Sequence, residues 1–235
     1  MDTVKIYHLI KDSFVYNLKI VFGNKFIYFL IAAVAFYLMI IGIMLFENSA
    51  VLEQDIFETL IFPGILIIFY PVIFSIQNDK DARMLEIVFG VPNYRYKVYL
   101  LRFFISLILL FVIMVFMGWF AEFALVKVRV FYLVYQLMYP LLFIACISFL
   151  FATWLKNANA TAVVMVIIGL FFLIMAEPLQ DSKWNIFLNP FNVPSSLSHT
   201  LWQNVINQNR LMLILVSVVA LLGAMVNLQK REKFV

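Results

Sequence analysis

The chain has 235 residues, of which 65% are hydrophobic and only 13% charged, with a net charge of +4 and a mean hydropathy of +1.01. Soluble domains carry about a quarter charged residues, so a water-soluble core is excluded and the solvent for most of the surface is lipid. The length fits one domain, residues 1–235, and in a membrane chain the basic balance speaks to the placement of cations rather than to nucleic acid.

Residues 1–25 are predicted to form an amphipathic helix. Val4, Tyr7, Ile10, Phe14, Leu18 and Val21 recur at helical spacing, with Lys5, His8, Asp12 and Lys19 on the other face. Such a segment lies in the interface plane, as a plain anchor or with a side contact to a partner. The first long apolar run starts near residue 26 without a small-residue cleavage site after it, so it reads as a span and not as a signal peptide.

A bilayer core of ~30 Å needs about 20 apolar residues of helix. Six runs qualify: Phe26 to Phe46, Phe57 to Ile76, Val98 to Phe120, Tyr132 to Leu155, Ala162 to Ala176 and Leu211 to Leu228. The fold class is therefore all-α integral membrane protein with six transmembrane helices. Pro63, Pro71 and Pro140 fall inside spans, where proline acts as a hinge or is tolerated as a packed distortion. Cys146, the single cysteine, lies inside an apolar run and reads as a small packing residue.

Between the second and third runs lies a polar island, residues 77–102. It gathers Lys80, Arg83, Arg95, Lys97 and Arg102 with Asp79, Asp81, Glu86, Gly90 and Pro92. Asp79 to Phe89 reads as a short helix. Gly90 suits a left-handed C-cap, Pro92 prevents continuation and Asn93 can cap the next helix. Met84, Leu85, Ile87 and Val88 sit among its charges. The residues allow two readings: a docking knob, or a solvated loop that enforces topology. The later segment 177–210 is too long for a plain turn. With Trp184, Phe187, Phe191 and Trp202 it reads as short helices dipping into the leaflet or as a surface loop with interfacial aromatics.

Cations orient the chain. With both termini inside, thirteen of the seventeen Lys and Arg residues fall on the inner side, and only Lys127, Arg129, Lys183 and Arg210 fall outside. Both termini are expected in the cytoplasm.

The island resembles the first cytoplasmic loop of type 2 ABC transporter permeases, the six-helix membrane subunits of ABC exporters. That pattern is acid-base-acid, one residue, Gly-Thr-Leu-Glu, an apolar run, Pro, then Arg and a further cation. Here Asp79-Lys80-Asp81, Ala82, Arg83-Met84-Leu85-Glu86, Ile87-Val88-Phe89, Pro92, Arg95 and Arg102 stand in those places. Arg83 departs from the usual glycine, which predicts plainer helix there. The stretch Asn189 to Trp202 is similar to the family's outer segment before span six.

The resemblance implies a coupling helix within residues 77–97 that docks on a separate ATPase subunit. Asp81, Arg83, Leu85, Glu86, Val88, Gly90, Pro92 and Arg95 would form that contact. It also implies two ATPase copies, a second permease identical or similar to this one, and a bacterial inner membrane. No cofactor is expected in this chain, with ATP and Mg held by the partner. The glycines are too far apart for a P-loop, the nearest pair being Gly23 and Gly42, and the only histidines are His8 and His199, so the chain is not expected to be an enzyme. The alternatives are a gradient-driven carrier, which usually carries ionisable groups inside its spans, and a membrane assembly factor. Glu122 and Glu177 fall only at span ends; Glu177 reads as an interface carboxylate or as part of a polar cavity.

Overall fold

The computed structural model describes residues 25–46, 50–81, 83, 88, 90, 94–195 and 197–229. Apart from Lys25, the predicted interfacial helix lies outside the described residues, as do Leu85, Glu86 and Pro92 of the island. The helices are α1 (Phe26–Phe46), α2 (Glu53–Ile73), α3 (Ser75–Asp81), α4 (Leu101–Ala124), α5 (Val130–Leu155), α6 (Ala158–Ala176) and α7 (His199–Asn227). A π-helical turn, Arg95–Leu100, leads into α4. Among the described residues there is no strand. All but α3 are long and apolar enough to cross a membrane. Helix is the form that lipid demands, because each backbone N–H and C=O must find its partner inside the segment.

Three spans start four or more residues before their apolar runs. Glu53 and Asp55 open α2, where carboxylates meet the positive end of the helix dipole, and Asp55 accepts the Leu52 N–H at 2.8 Å. Asn157 caps α6 by accepting the Ala160 N–H at 3.1 Å, so α6 begins at Ala158. The largest shift is in α7, which begins at His199 after the Ser198 cap. The first three turns of α7 are polar, and apolar content alone cannot reveal them. Residues 177–198 form a chain of turns without any helix among the described residues.

The bundle is built around α2 and α5. Of their most apolar stretches 61% is buried, against 17% for α1 and α6, which lie at the periphery. Gly64 lets α2 approach α5 closely: a Cβ there would stand 2.7 Å from Leu141 Cδ1. Gly118 does the same for α4, where a Cβ would stand 2.8 Å from Val130 Cγ1. The Tyr37 hydroxyl of α1 donates to the Met117 carbonyl of α4 at 2.6 Å, which satisfies the phenol within an apolar core.

The alternating helices give the bundle two ends. The Lys25 face holds Lys25, α3, Arg102, Lys156 and the end of α7. The Glu53 face holds the start of α2 and the turns 177–198. On that face Asn189 donates to the Gln54 carbonyl and to Glu58 Oε1, both at 3.0 Å. Asn209 donates to the Lys183 and Asn185 carbonyls, both at 2.8 Å. Arg210 is buried and donates to Gln136 Oε1 of α5 at 3.1 Å. These bonds pin the turns onto the spans.

Candidate functional site

The polar island lies at the Lys25 face, where the structure changes the sequence reading in three ways. First, Asp79 to Phe89 is not one helix. Asp79 belongs to α3, which follows α2 after a break of one residue at Phe74. The break comes three residues after Pro71, which has no N–H to give its helix. Second, the left-handed residue is Arg83, at φ 54°, just past the end of α3. The plainer helix expected at Arg83 is thus absent, and the backbone takes the conformation that glycine adopts most easily. Third, Gly90 has no positive φ and is helical, so it is not the left-handed cap. The chain has already turned at Arg83, and no second left-handed residue is required at Gly90.

The loop is tied down at both ends. At its start, Arg102 Nη1 donates to Asp79 Oδ2 at 2.7 Å, with both side chains buried. Burial raises the Asp79 carboxyl above its usual range, and the neighbouring Arg102 guanidinium pulls it back only in part. At its other end, the Tyr94 hydroxyl donates to the Leu228 carbonyl just past α7. Tyr94 also meets Tyr99 edge-on, with ring centroids 6.3 Å apart. The first bond joins α3 to the third span, and the second joins the loop to the sixth.

Between these ties the described residues split into two kinds. Asp81, Arg83 and Gly90 are exposed. Val88 is buried in the main core, so it supports the loop from beneath and is not free to face outward. Arg95 contributes its backbone to the π-helical turn. A polar cavity of about 710 Å³ adjoins α3, lined by Lys25, Tyr28, Gln77, Asn78, Asp81 and Asn157 among others. Tyr70 braces this corner: its hydroxyl accepts the Lys25 N–H at 3.1 Å, and its ring stacks on Phe74 at 4.9 Å.

The arrangement ties the polar island to the third and sixth spans. Sequence reasoning had Asp79 and Arg102 in its motif but not as a pair. The available signal was their placement, each charge at the edge of an apolar run with the island between. It missed the Arg210–Gln136 contact as well, although Gln136 is a lone amide within an apolar run.

No family model, curated protein or solved structure matches the chain.

Proposed function

We propose that the chain is the membrane-spanning permease subunit of an ATP-driven exporter of the type 2 ABC class, coupled to a separate ATPase. The observation that carries this reading is the double anchorage of the loop: Asp79–Arg102 to the third span, and Tyr94–Leu228 to the end of α7. A loop held this way passes a push at its exposed residues to two spans at once. In this reading the Lys25 face is cytoplasmic, both termini lie inside, and the membrane is the bacterial inner membrane. Asp81, Arg83, Leu85, Glu86 and Arg95 meet the ATPase, Val88, Gly90 and Pro92 shape the loop, and ATP with Mg stays on the partner. Two ATPases and a second permease, identical or similar, complete the assembly.

Docking surfaces work by apolar burial with charge pairs at the rim. The test is Leu85→Asp, with Glu86→Lys as the milder change. Both lie outside the spans, so the permease should reach the membrane at normal level. It should lose ATPase association and transport, the first variant more than the second. Membrane abundance, ATPase co-purification and transport into vesicles are measured together. If Leu85→Asp leaves ATPase association and transport intact, the loop is only a topology signal and the reading fails.

A further inference from the structure

The Glu53 face holds a second cavity of about 710 Å³, between α2, α6 and the turns 177–198. That is the size of a small-molecule site. Its walls have two characters. Ile61, Phe62, Ile65, Leu173 and Phe187 make an apolar side, while Glu58, Glu177 and Asp181 stand among amides on the other. Three acidic residues line this cavity, and no Lys or Arg among the described residues does.

The charge there is not neutralised from nearby. Glu58 takes one hydrogen bond from Asn189. Among the described residues, the carboxylates of Glu177 and Asp181 have no ion pair and no hydrogen bond. None of the four cations of this face lines the cavity: Lys183 lies over the Trp184 ring at 5.7 Å, Arg129 over the Tyr132 ring at 4.9 Å, Arg210 is bound to Gln136 and Asn209, and Lys127 stands outside the lining. Below the cavity, an apolar crevice of about 60 Å³ continues between α2, α5 and α6 and shares Ile65 and Phe187 with it. The space thus runs from a negative mouth to an oily floor.

We propose that this cavity binds amphiphilic cations, molecules with an ammonium or other onium group on an apolar body. A carboxylate-lined mouth concentrates cations and repels anions, and the apolar wall of the cavity takes the apolar body by removing it from water, with the crevice beneath receiving a small substituent. A small metal ion has no use for the apolar walls, and a neutral lipid chain has none for the carboxylates. The binding claim stands without the exporter reading; only the step from bound cation to transported cargo rests on that reading.

The experiment uses a matched pair of probes, tetraphenylphosphonium and tetraphenylborate, which share size and shape and differ in charge sign. Each is titrated into the purified full chain in mild detergent. The phosphonium should bind saturably, one per chain, with the borate at least about tenfold weaker. Glu177→Gln with Asp181→Asn should weaken the phosphonium about tenfold, the scale of two solvated charges at contact distance. Their carboxylates hold nothing in the fold, so the thermal midpoint should stay put. Equal affinity for both probes means mere partitioning and overturns the proposal. So does non-saturable binding, or phosphonium affinity unchanged in the double variant. None of these results touches ATPase association, so a failure here and a failure of the coupling loop are told apart.

Discussion

The two ends of the bundle are held by different chemistry. At the Lys25 face, one buried ion pair and one phenol hydroxyl connect the loop to the spans. At the Glu53 face, neutral amides do the work: Asn189 and Asn209 each reach two oxygens, and Gln136 receives Arg210. Amide bonds are individually modest, and several in parallel survive the loss of one. A single ion pair has no such reserve. One end therefore rests on several neutral contacts in parallel, and the other on a charged pair whose loss leaves a buried charge behind.

The sharpest break in that comparison is at Arg102. Arg102→Met leaves the Asp79 carboxylate buried and unpaired, a loss of about 3–5 kcal/mol at neutral pH. The pH dependence has a definite sign. A carboxyl held above its unfolded value contributes most to stability when protonated, below about pH 4, and that contribution falls as pH rises through its folded value. The deficit of Arg102→Met should thus shrink on acidification. Asp79→Asn keeps an acceptor for the guanidinium but removes the counter-charge of the buried Arg102, so it should cost somewhat less, about 1.5–3 kcal/mol, with no recovery on acidification. Asp79→Leu with Arg102→Met together should recover most of the loss, because an apolar pair needs no compensation. Thermal unfolding in detergent across pH reads all three. Negligible losses in both single variants, or no recovery in the double variant, would show that the pair does not set the stability of this face.

At the Glu53 face the expected effect is smaller. Asn209→Ala leaves the Lys183 and Asn185 carbonyls without this donor and the Arg210 guanidinium without one acceptor, about 1–3 kcal/mol, with little pH dependence since no carboxylate takes part. Proteolysis within residues 177–198, compared with the parent chain, checks whether the turns loosen. A loss as large as that of Arg102→Met would erase the contrast between the ends.

How far these features can be read in the sequence follows the same division. Six spans are legible because lipid admits only backbone that satisfies itself, and apolar runs of span length mark it. The first span agrees at both ends, Phe26 and Phe46. The starts of α2, α6 and α7 are not marked this way, since helix entry is set by Asp55, Asn157 and Ser198, polar residues that hydropathy counts as interruptions. Contacts are harder still. Asp79 and Arg102 are 23 positions apart, and Gln136 and Arg210 are 74 apart. A sequence shows such residues as isolated charges and amides, and only the packing of helices makes them partners. The corner at Arg83 was misread for a further reason. Propensity favours Gly90 for a left-handed residue, but the place where a helix ends is decided by the packing around it.

Arg83 offers the smallest effect and the cleanest separation of backbone from side chain. A non-glycine residue in the left-handed region is strained by roughly 1–2 kcal/mol. Glycine relieves that strain, at the cost of about 0.5–1 kcal/mol from greater freedom of the unfolded chain. Arg83→Gly should therefore be neutral to slightly stabilising, while Arg83→Ala keeps the strain and gains nothing. The exposed guanidinium is also one of the proposed ATPase contacts, and glycine removes it. If side chain and backbone serve different ends, Arg83→Gly will raise the thermal midpoint slightly and weaken ATPase association. If the loop needs only its corner, stability and association will both hold. A clear loss of stability in Arg83→Gly would mean that the left-handed turn is not where helix α3 ends.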